Sequence, residues 1–150
     1  MLLSLPPGVP AIRCRTYPHL MPLDAALWDA WLDLCDYDID AVWYDLKVGS
    51  LPPGTDLSTP ARQAIAEGTL LKRIDVVAQI DGQLWVIECK PYANHVPLGQ
   101  VLAYAALLPL RYALALPLRP VVIAAARDPD LIGLYRHHGV HVELVPQARI

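Results

Sequence analysis

The chain has 150 residues, 55% apolar and 18% charged, with a formal net charge of −3. That length and apolar content suit one domain with a real core and exclude a disordered chain. The mild acidity excludes a strongly basic face as the main hold on nucleic acid and leaves room only for a local basic patch.

Cys14, Cys35 and Cys89 are the only cysteines. An odd number without a C-x-x-C or Cys/His spacing gives neither a disulfide framework nor a zinc site, and fits a reducing compartment such as the cytoplasm. The opening "MLLSLPPGVPA" lacks the basic start and long apolar run of a secretory signal. The apolar stretch 101–126 is broken by Arg111, Arg119 and several prolines, so no membrane span is expected.

In chain order, residues 1–20 form a Pro-rich arm with Pro6, Pro7, Pro10 and Pro18. "PLDAALWDAWLDLCD" (22–36) carries Leu27, Trp28, Trp31, Leu32 and Cys35 at helical spacing, with Asp24 as N-cap. Asp29, Asp33 and Asp36 fall largely on the solvated face. "DAVWYDLKV" (40–48) reads as a strand whose "DLK" faces outward, and 49–58 as a loop. "TPARQAIAEG" (59–68) reads as a short helix capped by Thr59, opened by Pro60 and stopped by Gly68.

"RIDVVAQIDGQLWVIECK" (73–90) reads as two strands joined at Asp81-Gly82, a strong two-residue hairpin signal. Residues 91–95 form a loop, and "VPLGQVLAYAALL" (96–108) a helix beginning near Pro97. "PVVIAAA" (120–126) is an apolar run expected of a strand buried on both faces. A capped helix over 128–139, closed by Gly139, precedes a last strand at 140–145. The expectation is α/β: one domain over 1–150, with a mixed sheet of about five strands flanked by helices, in the order α-β-(α)-β-β-α-β-α-β. The first three strands form a meander and the later two join in parallel.

The hairpin carries the chemistry. With Asp81-Gly82 as its loop, Ile80 faces Gln83, Ala78 faces Trp85, and Asp75 falls opposite Glu88. Alternation puts Lys90 on the face of Glu88 and Cys89 on the other, as a core residue. Two carboxylates opposite one another repel unless a proton or a cation compensates. Lys90 supplies one positive charge, and its pairing with Asp75 or Glu88 as a plain edge cluster is one reading. A hard divalent cation held by Asp75, Glu88 and the backbone carbonyl of Cys89 is the other. Arg73 has the parity of Asp75, so it either reaches a phosphate or pairs with Glu88.

Asp75, followed by Glu88-Cys89-Lys90, resembles the PD-(D/E)XK nuclease superfamily, with Ile74 where the motif's proline stands. Gln100 and Tyr104 in "GQVLAY" resemble the Q-x-x-x-Y element of its recombination-exonuclease branch. At i and i+4 they share a helix face. "YPHLMPLDAALWDAWL" and "GQVLAY" are also similar to small phage- and prophage-encoded members. The resemblance implies a restriction-endonuclease-like fold and Mg²⁺-dependent (or Mn²⁺-dependent) hydrolysis of phosphodiesters. In that scheme Asp75 and Glu88 hold metal, Lys90 orients water or stabilises charge, and Gln100 and Tyr104 position DNA, with Arg73 joining them by its strand parity. Many relatives carry a further acid on the preceding helix; Asp29 and Asp33 are candidates, with Glu67 as a rival.

Lys47, Arg62, Lys72, Arg73 and Arg111 are the nearest cations in sequence. His95 and Tyr92 follow the motif; His137, His138 and His141 suit no common metal spacing. A second expectation is a catalytically silent protein of this fold, such as a phage head–tail connector, adaptor or head-completion component. It would act as a homo-oligomer or with phage proteins, in host cytoplasm or virion. The thin basic surface and the Pro-rich arm favour it.

Overall fold

The structure is a computed structural model of the chain, and residues 1–146 are described. The arm begins with β1 (Leu3–Ser4) and leads to helix α1 (Pro22–Leu34). β2 (Ile39–Val48), α2 (Pro60–Thr69), β3 (Lys72–Ile80), β4 (Gln83–Cys89) and the short β5 (Tyr92–Ala93) follow. Helix α3 (His95–Arg111) leads through β6 (Tyr112–Ala113) to β7 (Leu118–Ala124) and β8 (Ala126–Arg127). A 3₁₀ turn (Pro129–Leu131), α4 (Ile132–His137) and β9 (His141–Leu144) complete the described chain.

Five strands form one mixed sheet in the order β2-β3-β4-β7-β9. β2, β3 and β4 are an antiparallel meander, and β7 and β9 add in parallel, as the alternation of strands with helices requires. The hairpin pairs Ile80 with Gln83 and Ala78 with Trp85. Asp81 (φ 52°) and Gly82 (φ 71°) both sit in the left-handed region, the signature of a type I′ turn.

Two cores cover the two faces. Leu27, Trp28 and Trp31 of α1 pack on Val76, Ala78, Ile80, Trp85, Ile87 and Cys89. Leu98, Val101 and Leu108 of α3 pack on Val77, Leu84, Val86 and Val122. Strict alternation holds along β4 and β7 but not along β2 and β3. Val42 and Val76 join the α1 side, whereas Leu46 and Ile74 join the α3 side. The change falls at Asp45 and Asp75, which lie between the pairs Tyr44↔Val76 and Leu46↔Ile74 without pairing with each other. Asp45 has φ 57°, and that left-handed residue swings β2 about.

The arm is tied down rather than irregular throughout. β1 pairs in parallel with β6, and Val9 bridges Val42 of β2. A Cβ on Gly8 would stand 2.7 Å from that of Ala41, so only glycine lets the arm lie this close.

Several boundaries differ from the sequence reading. Met21, not Asp24, is the N-cap of α1, because Pro22 opens the helix and leaves Asp24 in its first turn. Gly68 does not stop α2, which runs to Thr69 and lets Leu70 donate to the Ala66 carbonyl. α3 starts at His95, where Asn94 caps by accepting from the Val96 N–H, and continues through Pro109 to Arg111.

Candidate functional site

Asp75 and Glu88 are brought together at the end of the central β3–β4 pair, 8% and 2% exposed. Asp75 Oδ2 accepts from the Cys89 N–H at 3.3 Å. The two carboxyls are close enough to share a hydrogen bond. Burial, followed by the charge of Asp75, pushes the Glu88 carboxyl up to about 9. Burial also raises Asp75, against the pull of the Cys89 N–H and with a push from the charge of Asp24. Glu88 Oε1 is buried without a hydrogen-bond partner. An orphaned carboxylate oxygen in a central strand is costly and calls for a proton or a cation.

Lys90 lies one residue past β4, so strand alternation no longer aims it. Its ammonium turns to Asp24 Oδ2, 3.4 Å away, and not to Asp75 or Glu88 as its salt-bridge partner. Burial works against the lysine charge. The charge and hydrogen bond of Asp24, then Asp75 and Glu88, outweigh it and hold Lys90 above its ordinary value. Asp24 is only 6% exposed. The acid that α1 contributes is therefore Asp24. Asp29 accepts from the Tyr17 hydroxyl, and Asp33 pairs with Arg13 at 3.0 Å. Glu67 lies exposed beside Gln63. The missed signal was position: with Pro22 at the first helical residue, Asp24 had to fall in the first turn, one face away from Asp29.

Tyr104 lies within electrostatic reach of the pair. Burial, then the charges of Glu88 and Asp75, push its hydroxyl up to about 12. Gln100, one turn earlier on α3, has Oε1 buried without a partner. Cys89 is fully buried on the α1 side, and burial holds its thiol well above the usual value. Arg73 pairs with Asp45, its Nε 2.8 Å from Oδ1, and not with Glu88. Arg62 is likewise spent on Asp56. Arg111 lies over the Tyr112 ring at the far end of α3.

The donor set is all oxygen: two carboxylates and, on the strand edge where its N–H meets Asp75, the carbonyl of Cys89. That set fits a hard cation such as Mg²⁺ or Mn²⁺. Among the described residues, no group of three or more His, Cys, Asp and Glu side chains is placed to hold a metal ion. Two acids meet here, and the third, Asp24, is taken by Lys90.

No family model and no curated protein matches the sequence. A crystal structure of a protein of unknown function, AF1548, is similar at 15% identity with a TM-score of 0.42. The similarity covers 80% of this chain and 56% of that one, so this chain spans little more than half that protein's length. Among the described residues, no helix is long and apolar enough to cross a membrane.

Proposed function

We propose that the chain is a PD-(D/E)XK-type nuclease with a restriction-endonuclease-like fold, hydrolysing DNA phosphodiesters with Mg²⁺ or Mn²⁺. The observation that carries this reading is the buried Asp75–Glu88 contact, with an orphaned Glu88 oxygen and an ammonium alongside. Asp75, Glu88 and the Cys89 carbonyl would hold the metal. Bound there, a metal would lower the pKa of a water and neutralise charge on the scissile phosphate. Lys90 orients the attacking water and offsets the charge that develops on the phosphate oxygens. Asp24 aims the Lys90 ammonium. Tyr104, kept protonated by its surroundings, offers a hydroxyl donor to the substrate, and the Gln100 amide lines the same approach.

The test is digestion of circular and linear DNA in Mg²⁺, Mn²⁺ or EDTA, beside Asp75→Ala and Lys90→Ala. Metal-dependent cutting is expected, with a loss of about 10²-fold or more in each variant. Absence of cutting by the wild type under every condition sinks the reading.

A silent structural role, such as a phage connector or completion component working as an oligomer, is favoured by one observation. Lys90, Arg73 and Arg62 are each already paired with an acid of the chain. A high-symmetry ring in solution, with no cutting, is the result that reading requires.

A further inference from the structure

Among the described residues, three that are not glycine adopt positive φ: His19 (64°), Asp45 (57°) and Asp81 (52°). The hairpin turn accounts for Asp81. The other two meet at a single side chain, Arg73. Asp45 takes two edges of its guanidinium, Oδ1 2.8 Å from Nε and Oδ2 3.0 Å from Nη2. The third arm, Nη1, stands 3.5 Å from Nδ1 of the exposed His19. Left-handed backbone is uncommon outside glycine, although Asp and His tolerate it better than most, and it persists where the surroundings favour it.

A surface ion pair by itself explains little of this, since such pairs add little stability. The cross-strand register adds an independent fact. Lys47 stands directly opposite Arg73 in the β2–β3 ladder. Like charges in that position repel, and among the described residues Lys47 has no ion-pair partner. Asp45 offsets one of the two positive charges and fixes the fork, while Nη1, the imidazole and the Lys47 ammonium remain to receive an anion. A phosphate, with several acceptor oxygens, matches a guanidinium arm and an ammonium together. The place is also informative. Arg73 is two residues from Asp75 on the same strand, and Asp45 lies between the pairs Tyr44↔Val76 and Leu46↔Ile74 that flank Asp75.

We propose that Arg73, Lys47 and His19 form a phosphate-binding subsite for the nucleic-acid backbone, with Asp45 as the residue that positions the guanidinium. This rests on the nuclease reading for its substrate, but binding tests it without cleavage. Anisotropy of a labelled short DNA duplex is followed in EDTA across a salt series. Wild type should bind, and Arg73→Gln should weaken binding about tenfold while flattening the log–log salt dependence by about one. Lys47→Gln should flatten it similarly, and Arg119→Gln, whose cation lies over Trp85, should not.

Because Arg73→Gln leaves Asp45 unpaired, the double change Asp45→Asn with Arg73→Gln is measured as well. It leaves the local net charge unchanged, so a merely electrostatic or structural role predicts the wild-type slope, and direct contact predicts the flattened one. A wild-type slope in the double variant, or no measurable binding by the wild type, overturns the proposal. Reduced binding in a protein that never cuts would keep the subsite and sink the hydrolysis. Cutting with unaltered binding would do the reverse.

Discussion

Glu88 and Glu143 occupy nearly the same level of one sheet, two strands apart, and their surroundings are opposite. In the register Cys89 aligns with Ile123 and Ile123 with Glu143, so Glu143 is one residue further along than Glu88. Glu143, on the edge strand β9, is held below the usual carboxylate range. The neighbouring His141 imidazole, its Nε2 3.4 Å from Oε2, is the main cause, with Tyr37 and Trp31 adding to it against partial burial. Glu88, on the central strand β4, has burial and a second acid against it and rises to about 9. Each keeps one buried oxygen, Oε1, without a hydrogen-bond partner, but Glu143 has an imidazole 3.4 Å from its other oxygen to favour its charge. Glu88 is left wanting a proton or a cation, the condition expected where chemistry rather than stability governs the residue.

The sharpest way to break that comparison is to neutralise the central acid. Glu88→Gln should abolish metal-dependent cutting and also change the pH dependence of stability. A group whose folded pKa lies above its unfolded one stabilises fully below the unfolded value and loses that contribution as pH rises through the folded value. Melting of the metal-free wild type should therefore fall from about pH 4.5 to about 9, with a flatter profile in Glu88→Gln. Mg²⁺ should raise the wild-type melting temperature more at pH 8 than at pH 6, because the ligand must be deprotonated. A pH profile identical in both proteins would refute the account of Glu88.

A smaller effect is expected of Asp24→Asn, which frees Lys90 without removing it. Cutting should fall about tenfold, in the turnover number rather than KM, and an unchanged turnover would remove Asp24 from the site. The smallest effect belongs to Glu143. Glu143→Gln should cost about 1 kcal/mol in chemical denaturation. Its contribution has the opposite sign with pH: present above the unfolded pKa, and lost as pH falls through the lower folded one. A loss concentrated at high pH would contradict this.

The hairpin was legible because its determinants are local. Asp81-Gly82 fixes the turn, the turn fixes the register, and the register places Asp75 against Glu88. The mixed sheet of about five strands, meander first and parallel strands after, followed from the alternation of apolar runs with helical ones. What stayed hidden depends on contacts far apart in sequence. Asp24 and Lys90 are 66 residues apart, and nothing local to α1 announces that pairing. Arg73 was assigned by strand parity, yet parity fails where Asp45 turns left-handed and the buried side of β3 changes. The Pro content of the arm marked it as irregular; its two ties to the body depend on β2, read as a strand in its own right, and on β6, a two-residue strand outside the elements read from the sequence.

The arm has one more consequence, for how molecules of this protein behave beside each other. β2 is an outer strand of the sheet, with a row of backbone donors and acceptors that another chain could extend. Val9 occupies the middle of that row, giving its N–H to the Val42 carbonyl at 2.8 Å and accepting from the Val42 N–H at 2.9 Å. Pro6, Pro7 and Pro10 beside it have no N–H to offer outward. That bridge thus covers part of the edge with a segment poor in backbone donors, which works against edge-to-edge aggregation of a largely apolar protein.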